Sequence, residues 1–216
     1  MKQGLDQYGV IDAIKRNEEI KHDFLASTEN IQFSTKQTIS IDEDDNHVTT
    51  HSPMFALSNN AIGTANWYDI NHTMATQMSN KLGVPKSYWD KCLKSAPLLL
   101  KENVDHWLYE TPKTMMVRTL GDTGRAFLSD RYARYDHFDV LEKIMPIMSQ
   151  WNMEFRDSYI TDDKMYLRAT FPNMECDVSA KKVGDIVRLG LMISNSETGM
   201  GLLEAGPIIE RIKCLN

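Results

Sequence analysis

The chain has 216 residues, 42% apolar and 25% charged, with a formal charge of −6. That composition supplies a sizeable core and excludes both a disordered chain and a uniformly basic nucleic-acid binder. Cys92, Cys176 and Cys214 are far apart and form no CxxC pair, which excludes a disulfide framework and suits free thiols in a reducing compartment.

The opening segment, MKQGLDQYGVIDAIKR, holds no apolar signal core, and no run of the chain is long enough to span a bilayer. The expected location is therefore the cytoplasm, with no membrane as partner. Charge is unevenly spread. Residues 1–112 hold 10 Lys and Arg against 15 Asp and Glu, whereas residues 113–216 hold 14 against 15 and carry eight of the nine arginines. Arginine suits bidentate phosphate contacts and stacking on flat rings. The 13 methionines read as adaptable core packing.

Residues 1–23 are polar and charged, with a short helix expected around Val10 to Ile20, and read as a loosely held arm. Alternation at Ile31, Phe33, Ile39 and Ile41 predicts a hairpin over 31–50. Its connection, Asp42-Glu43-Asp44-Asp45-Asn46, lacks the alternating spacing and downstream glutamate of a calcium loop and reads as a solvated turn. Arm and hairpin make a first region, 1–54.

From Asn59 the pattern turns helical. Ile70, Met74, Met78 and Leu82 line one helical face, Gly83 supplies a stop and Pro85 opens the next helix. That helix carries Tyr88, Trp89, Cys92 and Leu93. A third follows Pro97, with Leu100, Val104, Trp107 and Leu108 as its apolar side. Together they form a helical unit over 55–112.

Residues 113–216 read mainly as sheet. Strands 115–120 and 125–129 pair as a hairpin across Gly121 to Gly124. The stripe Val140, Ile144, Ile147, Met148 and Trp151 predicts a helix over 137–150. A second hairpin joins 152–161 to 164–171, and strands follow at 185–194 and 202–214. The fold class is α+β: a helical unit, then an antiparallel sheet with one covering helix, with 55–216 as one compact domain.

Within these strands Met165, Leu167, Ala169 and Phe171 share a face, as do Val187, Leu189, Leu191 and Ile193. Arg118, Tyr166, Arg168, Arg188 and Arg211 fall out of phase and would line the sheet's second face. The loop after 129 adds Arg131, Tyr132 and Arg134, with Arg125 just before it. Such a surface suits single-stranded nucleic acid, whose phosphates take guanidinium groups and whose bases stack on rings. The same pattern arises when arginines pair with carboxylates on neighbouring strands.

No phosphate loop, GxSxG, HExxH or zinc spacing is present. His47 and His51 share one face of a β-prone stretch, Ser129-Asp130 reads as a loop cap, and Asn195-Ser196-Glu197-Thr198-Gly199 as a tight turn or an anion nest. Catalysis would need residues from distant blocks, such as Asp130, His137 and Glu197. No catalytic residue, metal or cofactor is expected.

Several blocks carry a resemblance: Leu82-Gly83-Val84-Pro85 with Tyr88, Asn103 with Trp107-Leu108, Val117-Arg118-Thr119, Arg125 to Tyr132, Asn195 to Gly199, and Arg211 with Cys214-Leu215-Asn216. In order and spacing, over roughly 55–216, they are similar to a phage- and plasmid-borne family known as domain of unknown function number nine hundred and thirty-two. The resemblance implies a mobile-element setting and a helical region beyond Asn216. A sheet with one covering helix is also loosely similar to the core of single-strand annealing recombinases. The expected function is a phage-type single-stranded DNA-binding or annealing protein that forms homo-oligomers. The other expectation is an anti-restriction module that binds a host protein through the acidic first half.

Overall fold

The computed structural model describes residues 4–58, 66–177 and 186–212. The expected helical onset at Asn59 and the block at Cys214 lie outside them. The chain is α+β and divides into two compact units, Met1–Glu19 with Ala133–Asn216, and Ile20–Tyr132. These boundaries differ from those expected at 54 and 112. The helices of 72–110 do not stand alone, because their apolar sides close over strands drawn from both flanks of the sequence.

The central unit holds β1 (Lys21–Ser27), a 3-10 turn (Thr28–Asn30), β2 (Ile31–Ile41), β3 (His47–Leu57), β4 (Trp67–Ile70), α2 (His72–Lys81), α3 (Lys86–Ser95), α4 (Pro97–Glu110), β5 (Thr114–Leu120) and β6 (Thr123–Ser129). Its six strands run in the order β1-β5-β6-β4-β3-β2, antiparallel except between β4 and β6. The edge strands β1 and β2 are joined by Thr28–Asn30 alone. Six flat strands at about 4.8 Å would hold those edges about 24 Å apart, and the three-residue link reaches only about half of that. The sheet therefore curls. Thr28 N–H donates to Lys113 O (2.9 Å) and Ser58 N–H to Asn30 O (2.8 Å), fixing the link at both sides.

Period-2 alternation sends Ile31, Phe33, Phe55, Met115, Val117 and Phe127 into one core with Met74, Met78, Trp89, Leu100, Val104 and Leu108 from the helices. Local signals set the helix ends. Asn71 caps α2 by accepting from Met74 N–H (2.8 Å), and Gly83 takes φ +69° just past its end, a value favoured by glycine. Ile70, expected on a helix, ends β4 and is buried. Trp107, expected in the core, is 44% exposed.

The second unit holds α1 (Gln7–Ile20, of which Ile20 falls in the central unit), α5 (His137–Gln150), β7 (Glu154–Phe155), β8 (Tyr159–Ile160), β9 (Met165–Asp177), β10 (Ile186–Asn195) and β11 (Glu204–Ile212). Strand order is β11-β10-β9-β7, with β8 also on β9. The opening segment is not a loose arm. Val10 and Ile14 of α1 are buried with Val140, Leu141, Ile144 and Met148 of α5 against Met165, Leu167, Ala169 and Ile193. Of the expected α5 stripe Val140, Ile144 and Met148 are buried and Leu141 joins them, while Ile147 and Trp151 are 52% and 53% exposed. Among the described residues no helix is long and apolar enough to cross a membrane.

Candidate nucleic-acid interface

The expected arginines do not share one sheet. Arg118 and Arg125 lie on the six-stranded sheet and Arg168, Arg188 and Arg211 on the other, in different units. Arg118 is fully buried. Its Nε and Nη2 donate to Asp23 Oδ1 and Oδ2 at 2.7 and 3.0 Å, and Asp23 is its direct partner across β1 and β5. Arg125 is also buried, at the register shift between β5 and β6. On the second sheet Arg168 lies 3.9 Å from Glu210 and Arg188 donates to Glu175, its neighbour across β9 and β10. Pairing across neighbouring strands, the other reading of the pattern, thus accounts for Arg118 and Arg188, while Arg168 meets Glu210 across the intervening β10. Tyr166 is half-buried beside them, and Arg211 and Arg134 are exposed. Tyr132 packs on Met116, Ala126 and Leu128.

Arg131 is different. It is exposed and lines an open cleft of about 450 Å³ with Lys81, Lys113, Thr114, Met115, Ser129 and Asp130. Local structure brings these groups together from three places in the chain. Lys81 ends α2, where a cation also complements the helix dipole. Lys113 is held at the start of β5 by its backbone, which accepts from Thr28 N–H and donates to Thr28 Oγ1 (3.1 Å). Arg131 follows β6 in a turn where Ser129 Oγ donates to Asp130 Oδ1 (3.0 Å) and accepts from Arg131 N–H (3.2 Å).

Among the described residues Lys81, Lys113 and Arg131 form no ion pair. A smaller pocket of about 60 Å³ shares Lys81, Lys113 and Met115 with the cleft and is walled by Leu82 and Trp107. The two form one groove with three cations, one carboxylate and an exposed indole. Sequence reasoning reached Arg131 but missed the two lysines and Trp107. The lysines are single residues far apart in the sequence, and Trp107 sat at a core-type position.

The second unit has a buried polar cluster of its own. His137, Asn195, Ser196, Glu197 and Thr198 are each at most 5% exposed. Glu197 Oε1 accepts from His137 N–H at 2.7 Å. Asn195 Nδ2 donates to Tyr135 O (2.9 Å) and lies 3.1 Å from His137 Nδ1. Asp136 and Asp139 complete a capping box at the start of α5. Glu18, Asp136 and Glu197 place carboxylate oxygens within 4.8 Å of one another, and of these Asp136 and Glu197 hold the entry to α5 through its first backbone N–H groups.

His137 and Glu197 therefore meet, as an enzyme reading required, while Asp130 belongs to the other unit. The segment 195–199 is not an open nest. Ser196 Oγ accepts from Thr198 N–H (3.3 Å) and Met200 N–H (3.0 Å) and donates to Asp163 O (2.8 Å). No protein-family model, no curated protein and no solved structure matches this chain.

Proposed function

We propose that the protein binds single-stranded nucleic acid along the Lys81–Lys113–Arg131 groove, with phosphates on the three cations and a base stacked on Trp107. The convergence of three unpaired cations on one concave surface of an acidic protein carries this reading. Their charge is not spent on internal pairs, so it is available to a polyanion, and an exposed indole beside it offers a stacking platform with no sequence preference. Strand annealing in a phage or plasmid setting is the finer part of the proposal. It rests on the sequence resemblance over 55–216 and not on the six-stranded sheet that carries the groove.

Fluorescence anisotropy with labelled single- and double-stranded oligonucleotides, at low and high salt, tests it. The wild type should prefer single strands, and its log K should fall by about 0.7 per neutralised phosphate per decade of salt. Lys81→Gln/Lys113→Gln/Arg131→Gln should remove most of that slope, and Trp107→Ala should weaken binding by about 1–3 kcal/mol without changing it. Wild-type affinity in the folded triple variant would eliminate the groove.

A further inference from the structure

The β2–β3 hairpin extends well beyond the core it helps to build. Residues 36–50 are exposed on both faces, yet the register runs unbroken from Ile31 opposite Leu57 to Ile41 opposite His47. Ile39 and Ile41, 63% and 64% exposed, continue the period-2 row that buries Ile31 and Phe33. The row turns polar at Thr35 and Gln37 and then presents Ile39 and Ile41 as a separate apolar pair in solvent. At the tip stand Asp42, Glu43, Asp44 and Asp45, all exposed. Asp42 Oδ1 holds the turn by accepting from Asp44 N–H (3.0 Å) and Asn46 N–H (2.8 Å).

A rigid ribbon with an acidic tip and an apolar flank matches one other surface of this unit, the cationic groove walled by Trp107. The tip cannot reach its own groove. The 11 residues of β2 carry it about 30 Å from Ile31, and Ile31 follows directly on the turn that holds Thr28, a residue of the groove wall.

We infer that the acidic tip of one chain docks in the Lys81–Lys113–Arg131 groove of a second copy, with Ile39 and Ile41 laid against Trp107. Tip and groove are different surfaces, so the contact either propagates head to tail or is exchanged reciprocally within a two-fold dimer. Nucleic acid would then displace the tip. That last consequence rests on the proposed role of the groove; the docking does not.

Sedimentation velocity on the full chain, without nucleic acid, tests the docking. The wild type should exceed monomer mass at low salt and return to monomer at high salt, because exposed charges are screened. Glu43→Gln/Asp44→Asn/Asp45→Asn keeps the Asp42 turn, and asparagine tolerates the φ of +61° at position 45. That variant should be monomeric, as should Lys81→Gln/Lys113→Gln/Arg131→Gln. Mixed in equal amounts, they should form a species of twice the monomer mass and no larger, since one supplies the only intact groove and the other the only intact tip. A monomeric wild type at low salt, variants that still associate, or a mixture that stays monomeric each overturns the inference. The nucleic-acid reading fails separately, through the anisotropy of the groove variant.

Discussion

A guanidinium with no access to solvent has to be neutralised where it sits, and Arg118 is held by two bonds to Asp23 from the neighbouring strand. Removing one member of such a pair leaves the other charge uncompensated and costs about 3–5 kcal/mol. Arg118→Ala should therefore lower the unfolding midpoint sharply while the folded fraction keeps its oligonucleotide affinity. Intact stability with lost binding would mean that Arg118 reaches a ligand. Gly124 is constrained by space. A Cβ there would overlap the Phe55 ring and the Met74 sulfur, both fully buried. Gly124→Ala should destabilise by about 1–3 kcal/mol, read from urea unfolding, and an unchanged midpoint would show that these side chains shift freely.

At the scale of elements, the hairpin turn depends on one carboxylate. The backbone N–H of Asn46, then that of Asp44, holds the Asp42 carboxyl below its ordinary value of 3.8. A depressed carboxylate contributes its stability fully above the ordinary value and loses it as pH falls through the lowered one. The turn should loosen in acid, and the protection of the Asn46 amide, measured against its intrinsic exchange rate at each pH, should fall there. Asp42→Ala should show the low protection at every pH; a protected Asn46 amide in that variant would remove the carboxylate from the account. Helix α5 was legible because its apolar stripe runs the length of 137–150. The exposure of Ile147 and Trp151 was not, because periodicity gives a direction and not the width of the surface that covers it. Likewise Trp107 shares its side of α4 with Leu108, and only packing decides which of the two is covered.

On the scale of the whole molecule, the second unit is discontinuous in sequence: α1 fills a core otherwise built from residues after 132. Residues 133–216 expressed without the first 19 should lack the side chains of Val10 and Ile14. Two such losses cost about 2–5 kcal/mol each for large apolar groups, enough to abolish cooperative unfolding in a unit of ordinary stability. A sharp thermal transition in that fragment would show that α1 is dispensable.

By itself the sequence determined the α+β class, helix α5, three helices within 55–112, and hairpins read over 31–50, 115–129 and 152–171 that the structure sets with somewhat different ends. Alternation, caps and glycine stops act within a few residues and are written into local order. Only the tertiary structure decided which strands share a sheet. Phase tells which side chains point together within a strand, but not which strands lie side by side. Arg118 and Arg168 are therefore out of phase with their cores in the same way and still stand on different sheets. The groove belongs to the same class of fact: Lys113 and Arg131 flank the paired ends of β5 and β6, where Met115 lies opposite Ser129, and Lys81 joins them because α2 is held on β6 by the Gln77–Phe127 hydrogen bond.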